Sequence, residues 1–246
     1  MMYNELFGVK KPLIGMIHTN SADEYTMLDL AKREIKIFLQ HGIYPLIENY
    51  FGSTDECEMV LSWIQKAYPD AVYGVNILGN YQEAFRLAAK YGARFIQIDS
   101  VCGHLAPEYD EEYARRLAEL RSQVDVVLLG GVRFKYQPVN SGRSLEEDLR
   151  LGSERCDAIV CTGEGTGVPT PLGKVKEFKA VLPDFPVIVG AGVTHQSVND
   201  TIETVQDTFQ YSDGAIIGSW IKDEHLASCC VNETYVRMIT DRIIEN

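Results

Sequence analysis

Eight short apolar runs alternate with eight amphipathic segments along the 246 residues, and the runs end on polar side chains or glycines. The runs are Pro12–His18, Ile43–Glu48, Val72–Asn76, Arg94–Asp99, Val124–Leu129 with an extension toward Phe134, Ala158–Cys161, a run opening Val187-Ile188-Val189, and the stretch Asp213 to Ser219. Between them, Asp23–His41, Asp55–Tyr68, Tyr81–Tyr91, Tyr109–Ser122, Ser144–Arg155, Pro171–Leu182, His195–Thr208 and Asn232–Ile244 carry helical spacing. In the first, Leu28, Ala31, Ile35 and Phe38 fall on one face with charges opposite. Gly42, Pro69 and Gly92 stand where helices stop, and Ser144-x-x-Glu147 reads as a capping box. Strict β/α alternation with short connections predicts a parallel sheet. The length suits a single (β/α)8 TIM barrel over residues 1–246. An open doubly wound sheet is the rival, and no G-x-G-x-x-G follows the first run to support it.

In such a barrel the C-terminal strand ends share one mouth, and a phosphate site forms after the last two strands. Val187-Ile188-Val189-Gly190-Ala191-Gly192-Val193-Thr194 is a β-branched run stopping on a Gly-x-Gly turn, and Ile217-Gly218-Ser219 ends the next run. Gly190, Ala191, Gly192, Gly218 and Ser219 are therefore expected to cradle an anion with main-chain N–H groups. Thr162-Gly163-Glu164-Gly165-Thr166-Gly167 lets backbone approach a ligand closely, so Thr162, Gly163, Thr166 and Gly167 are expected substrate contacts.

The other strand ends supply His18, Glu48, Asn49, Asn76 and Asp99, with Lys135 just past the fifth. A carboxylate closing an apolar run is partly desolvated, which raises its pKa and suits proton transfer. Glu48 and Asp99 are the expected acid/base pair, with His18 and Lys135 as further catalytic candidates and Asn49 and Asn76 as substrate contacts. Each has a plainer reading: a carboxylate paired with a neighbouring cation, a packed histidine, mouth amides bonded among themselves, a solvated lysine. His195 and Lys222 open the segments after the glycine turns, where surface exposure would explain them. The polar segment Lys135–Arg143 reads as a mobile loop over the site.

The formal net charge of −12 argues against nucleic-acid or anionic-membrane partners, though a local nest of N–H groups can still bind a small anion. The six cysteines form no CxxC pair, and the clustered His of a transition-metal site is lacking, so neither metal nor cofactor is implied. A lone Mg²⁺ between Glu48 and Asp99 stays open. With no secretory leader before Lys10-Lys11 and no apolar run of membrane-spanning length, a cytoplasmic protein without membrane insertion is expected. Self-association into a homo-oligomer is compatible with the sequence.

Lys11-Pro12-Leu13-Ile14-Gly15-Met16-Ile17-His18, Glu48-Asn49, Gly74-Val75-Asn76, Gly92-Ala93, Thr162-Gly163-x-x-Thr166-Gly167, Gly190-x-Gly192-Val193-Thr194 and Asp213-Gly214 through Lys222, taken in order, resemble the BtpA/SgcQ family. The resemblance implies a ribulose-phosphate-binding type of barrel. One branch of that family is named for photosystem I biogenesis; other members carry names such as nucleosidase or phosphoribosylanthranilate-isomerase-like protein. This chain departs from the family pattern at Thr19-Asn20-Ser21-Ala22, Gly79, Gln97, Asp99 and Tyr136. The expected function is a phosphate-anchored isomerase or nucleosidase-type hydrolase acting on a phosphorylated sugar or nucleotide-derived compound. Two alternatives stand beside it: a non-catalytic assembly or regulatory factor, and a Schiff-base aldolase using Lys135.

Overall fold

The computed structural model describes residues 2–21, 25–190 and 211–244. Eight strands close into one barrel in chain order, each parallel to its neighbours: β1 (Leu13–His18), β2 (Tyr44–Glu48), β3 (Gly74–Asn76), β4 (Phe95–Cys102), β5 (Val127–Val132), β6 (Ala158–Cys161), β7 (Val187–Val189) and β8 (Ala215–Ile217). The protein is a TIM barrel. Helices α2 (Met27–Gln40), α3 (Thr54–Ala67), α4 (Tyr81–Tyr91), α5 (Pro107–Gln123), α6 (Leu145–Arg155) and α7 (Leu172–Val181) follow the first six strands in turn, and α8 (Glu233–Ile244) follows the last. The segment expected as a helix over 195–208 lies outside the described residues.

Alternation along each strand sorts side chains into two cores. Ile17, Ile47, Val75, Ile96, Leu128, Ile159 and Val187 face outward under the helices. Ile14, Met16, Leu46, Phe95, Val127, Leu129, Val160 and Ile188 fill the interior. Gly74 makes room for one of them: a Cβ there would stand 2.2 Å from the Phe95 ring.

Two features differ from the sequence reading. A short helix α1 (Tyr3–Phe7), not anticipated, plugs the N-terminal end, with Tyr3, Leu6 and Phe7 joining the interior cluster. Tyr3 Oη donates to the Asp213 carbonyl at 2.8 Å, and the Phe7 ring packs 5.4 Å from Phe95. Five residues are too few to announce a helix by periodicity; tertiary burial creates it. The second feature is β4, which runs past Asp99 to Cys102, with a register irregularity between Ile98 and Cys102 where its pairing with β5 shifts. The residues Ser100–Cys102, expected in a loop, are held by this bulged pairing. The predicted capping box forms as read: Ser144 Oγ accepts from Glu147 N at 3.2 Å, and Glu147 Oε2 accepts from Ser144 N at 2.7 Å.

Candidate active site

The C-terminal strand ends surround a cavity of about 140 Å³. His18, Glu48, Gln97 and Asp99 line one side, from β1, β2 and β4; Lys135, Tyr136, Thr166, Gly167, Gly190, Gly218 and Ser219 line the other. Met16, Phe134 and Ile216, members of the interior core, border it from below.

Parallel pairing sets the acidic side. His18 stands beside Glu48, and Glu48 beside Asn76, as register partners. Asn76 is buried and donates from Nδ2 to Glu48 Oε2 at 2.7 Å and to Asp99 Oδ1 at 3.3 Å, so its amide bridges the two carboxyls. Gln97 Nε2 also donates to Asp99 Oδ1 at 3.3 Å, and the buried Gln97 Oε1 has no partner among the described residues. His18 Nδ1 lies 3.0 Å from the Ala227 carbonyl. A carbonyl can only accept, so Nδ1 carries the proton and Nε2 keeps a lone pair. That lone pair faces Glu48 Oε1 at 3.6 Å.

Burial, reinforced by the neighbouring Asp99, lifts Glu48 to about 8, against the pull of Lys135 and Asn76. Burial, then the charge of Lys222, lowers His18 to about 3. Burial also raises Asp99, while bonds from Asn76 and Gln97 pull it back. At neutral pH Glu48 is a carboxylic acid and His18 a neutral base. The environment divides these groups in the way acid/base sites do.

The opposite side is made of backbone and hydroxyls. Gly218 lines the cavity without crowding: a Cβ there would make only ordinary contacts, with Met16 at 3.5 Å and the His18 ring at 3.7 Å. Gly190 is different. Its N–H donates to the Cys161 carbonyl at 2.8 Å, and a Cβ would meet Val160 at 2.3 Å, so packing explains this glycine and its amide is not open to an anion. Ala191, Gly192 and His195 lie outside the described residues. Lys135 Nζ donates to Thr166 Oγ1 at 3.4 Å, and its main-chain N–H to Thr162 Oγ1 at 2.9 Å.

The segment after β5, expected to be loose, is tied down. Buried Asp148 accepts from Arg133 Nε, Arg143 Nε and Ser141 Oγ, each at 3.0 Å. Tyr136 at its tip sits at φ 62, a left-handed conformation unfavourable for an aromatic residue, and its Oη accepts from Thr166 N at 2.7 Å. Such outliers persist where surroundings fix them, and they cluster at functional sites.

Several sequence candidates are thus brought to the cavity: His18, Glu48, Asp99, Lys135, Thr166, Gly167, Gly190, Gly218 and Ser219. Others are placed behind it. Asn76 bridges the acids; Asn49 Oδ1 accepts from Leu78 N at 2.8 Å and braces the turn after β3; Thr162 holds Lys135; Gly163 packs against the carbonyls of Val168 and Pro169. Lys222 is not exposed but buried. Gln97 was overlooked as a site residue, although it lies two positions before Asp99 and therefore on the same strand face. Tyr50 also lines the cavity, its ring 5.1 Å from that of His18. Among the described residues no three His, Cys, Asp or Glu side chains converge as a metal-ligand set, and no helix is long and apolar enough to cross a membrane.

With this geometry in place, comparison gives the lineage. The model of the BtpA family matches residues 9–245. The chain belongs to the BtpA family. Among its relatives in that sequence space, an uncharacterized protein of Pyrococcus horikoshii is 30% identical over 238 residues, covering 87% of this chain and 88% of that one. An uncharacterized protein of Methanocaldococcus jannaschii is 28% identical over 244 residues, covering 89% of this chain and 90% of the relative. Among solved structures, the tryptophan synthase alpha chain of Legionella pneumophila superposes with a TM-score of 0.63 at 14% identity, over 96% of this chain and 92% of that one. Thiamine phosphate pyrophosphorylase of Pyrococcus furiosus gives 0.58 at 13% identity, over 96% and 98%. These likenesses show that this BtpA-family chain shares the barrel with them.

Proposed function

We propose that this BtpA-family barrel is an enzyme that holds a phosphorylated sugar or nucleotide-derived compound in its mouth and moves a proton on it with Glu48. The observation that carries the reading is Glu48 itself: a carboxyl lifted to about 8, lining a cavity, anchored on one oxygen by Asn76 and facing a neutral imidazole with the other. A group with that midpoint can give up a proton and regain it near neutral pH. Asp99, joined to it through Asn76, is the complementary base. In an isomerase, Asp99 would take a proton from carbon while Glu48 delivers one to the neighbouring carbonyl oxygen. In an N-glycosidic hydrolase, Glu48 would protonate the departing nitrogen and Asp99 would take a proton from the attacking water.

The anion would sit across the cavity, against Lys135, Thr166, Gly167, Gly218 and Ser219. Lys135 supplies the positive charge, and Gly218 permits close approach of the backbone. Binding the phosphate there gives interaction energy remote from the reacting bond, which orients the rest of the molecule toward the acids. The likeness in fold to thiamine phosphate pyrophosphorylase is consistent with this arrangement.

The test is a thermal-shift screen of sugar phosphates and nucleoside monophosphates, followed by turnover assays on those that bind. Stabilisation by one class is expected, with Glu48→Gln keeping the stabilisation and losing turnover. A screen in which no phosphate compound raises the melting temperature sinks the reading.

A further inference from the structure

A glutamate on the inner face of a barrel helix and a lysine buried beside it are costly choices. Glu34 of α2 is fully buried among Ala31, Ile35 and Phe38, and Lys222, following β8, is 1% exposed. Buried ion pairs are weak devices for stability, because desolvation offsets much of their attraction and apolar replacements often serve as well. Their placement here points elsewhere.

The segment 222–231 folds back on itself. Lys222 and Val231 form an antiparallel bridge, and Asp223 N donates to the Cys230 carbonyl at 2.8 Å. Glu34 Oε1 accepts from Val231 N at 2.9 Å and lies 3.8 Å from Lys222 Nζ, so one carboxyl holds both strands of the turn. Asn20 Nδ2, just past β1, donates to the Ser228 carbonyl at 2.7 Å and fixes the tip. The outcome is one carbonyl in one place. Ala227 C=O accepts both His18 Nδ1–H at 3.0 Å and Lys222 Nζ–H at 3.3 Å, as a carbonyl with two lone pairs can.

We infer that Lys222, braced by Glu34, is a positioning residue for the mouth: through the Ala227 carbonyl it locks His18 in the tautomer that turns a bare Nε2 toward Glu48. The inference rests on the reading of Glu48 as the proton donor for its use, though not for its test. With Nδ1–H engaged, Nε2 is a bare lone pair facing the Glu48 carboxyl, so His18 does not compete with Glu48 as the proton donor. The Lys222 ammonium at the same carbonyl opposes a second proton on the ring, so the proton stays on Glu48 until the substrate takes it. The groups facing His18 are Glu48 from β2, Tyr50 from the turn after β2, Lys135 from the segment after β5, and Lys222. Of these, the two lysines disfavour the imidazolium, Lys222 the more strongly, and the Glu48 carboxyl is neutral over the range in which His18 would ordinarily titrate.

The experiment is ¹⁵N NMR of the histidine side chains from pH 2 to 9, with His18 assigned by its absence in His18→Gln. The wild-type protein is expected to show a neutral, Nδ1-protonated His18 at neutral and mildly acid pH, titrating only near about 3. In Lys222→Met its titration should move up by about one pH unit or more, the effect of removing a like charge at close range. Because a lone Glu34 could unfold the chain, the double variant Glu34→Met/Lys222→Met is measured as well, with the same shift expected. A wild-type His18 protonated on Nε2, or a folded double variant with an unmoved titration, overturns the inference. Neither readout needs a substrate, so failure of the phosphate screen and failure of this tautomer lock are separately visible.

Discussion

The two sides of the barrel mouth are made by different means. From β1 to β4 the rim is side-chain chemistry: the amides of Asn76 and Gln97 tie Glu48 and Asp99 together by hydrogen bonds, and His18 stands beside Glu48 in register. From β5 to β8 it is backbone and hydroxyl, with the glycines at 167, 190 and 218 beside Thr166, Ser219 and one lysine. Where charges must be kept in unusual protonation states, the fold surrounds them with neighbours that cannot move. Where close approach is needed, it removes side chains. This division separates a place for reaction from a place for anchoring, and each can be broken without the other.

The largest effect should come from the reacting side. Glu48→Gln is expected to lower turnover of a bound phosphate compound about 10²- to 10⁴-fold, the usual contribution of a positioned acid, while its thermal stabilisation by that compound stays. Equal loss of both would erase the distinction between the sides.

Next come the two glycines. Gly190→Ala drives a methyl group into Val160 at 2.3 Å and should cost about 1–3 kcal/mol in denaturant unfolding. Gly218→Ala, whose methyl group would make only ordinary contacts with Met16 and His18, should leave stability within about 1 kcal/mol of the parent yet weaken phosphate binding measured by calorimetry. If the two behave alike, the anchoring side is merely tight packing.

The dependence of stability on pH tests the reacting side without a ligand. Glu48 rises from 4.5 to about 8 on folding, so between those values the unfolded chain binds fewer protons and stability falls as pH rises. His18 falls from 6.5 to about 3, so across that span the unfolded chain binds more protons and stability falls as pH drops. From this pair alone, the melting temperature should be level between pH 4.5 and 6.5 and decline on both sides. Glu48→Gln should remove the alkaline decline, and His18→Gln the acid one. A profile indifferent to both variants would mean that these groups titrate normally. Smallest of all, Lys135→Met should weaken phosphate binding several-fold and flatten its dependence on salt, since a half-buried cation at a wet rim is partly screened.

Much of this was legible in the residues. Strand ends are marked by a change from β-branched to polar, and in a barrel every such end faces one opening, so Glu48, Asp99, His18 and Lys135 could be placed together without coordinates. What periodicity cannot carry is partner choice. Nothing local says that the Asn76 amide goes to two carboxyls, that Gly190 answers to Val160 rather than to an anion, or that Lys222 is turned inward against Glu34. The plug α1 was invisible for a related reason: its five residues have meaning only against the open end of the finished barrel.

That plug has a consequence for traffic. With Tyr3, Leu6 and Phe7 sealing the base, the vessel is closed at that end among the described residues, and a small molecule seated in it leaves toward the strand C-termini by which it came. Entry and exit therefore compete at the rim that Tyr136 helps to line, and a departing fragment has to clear it before a successor can take its seat.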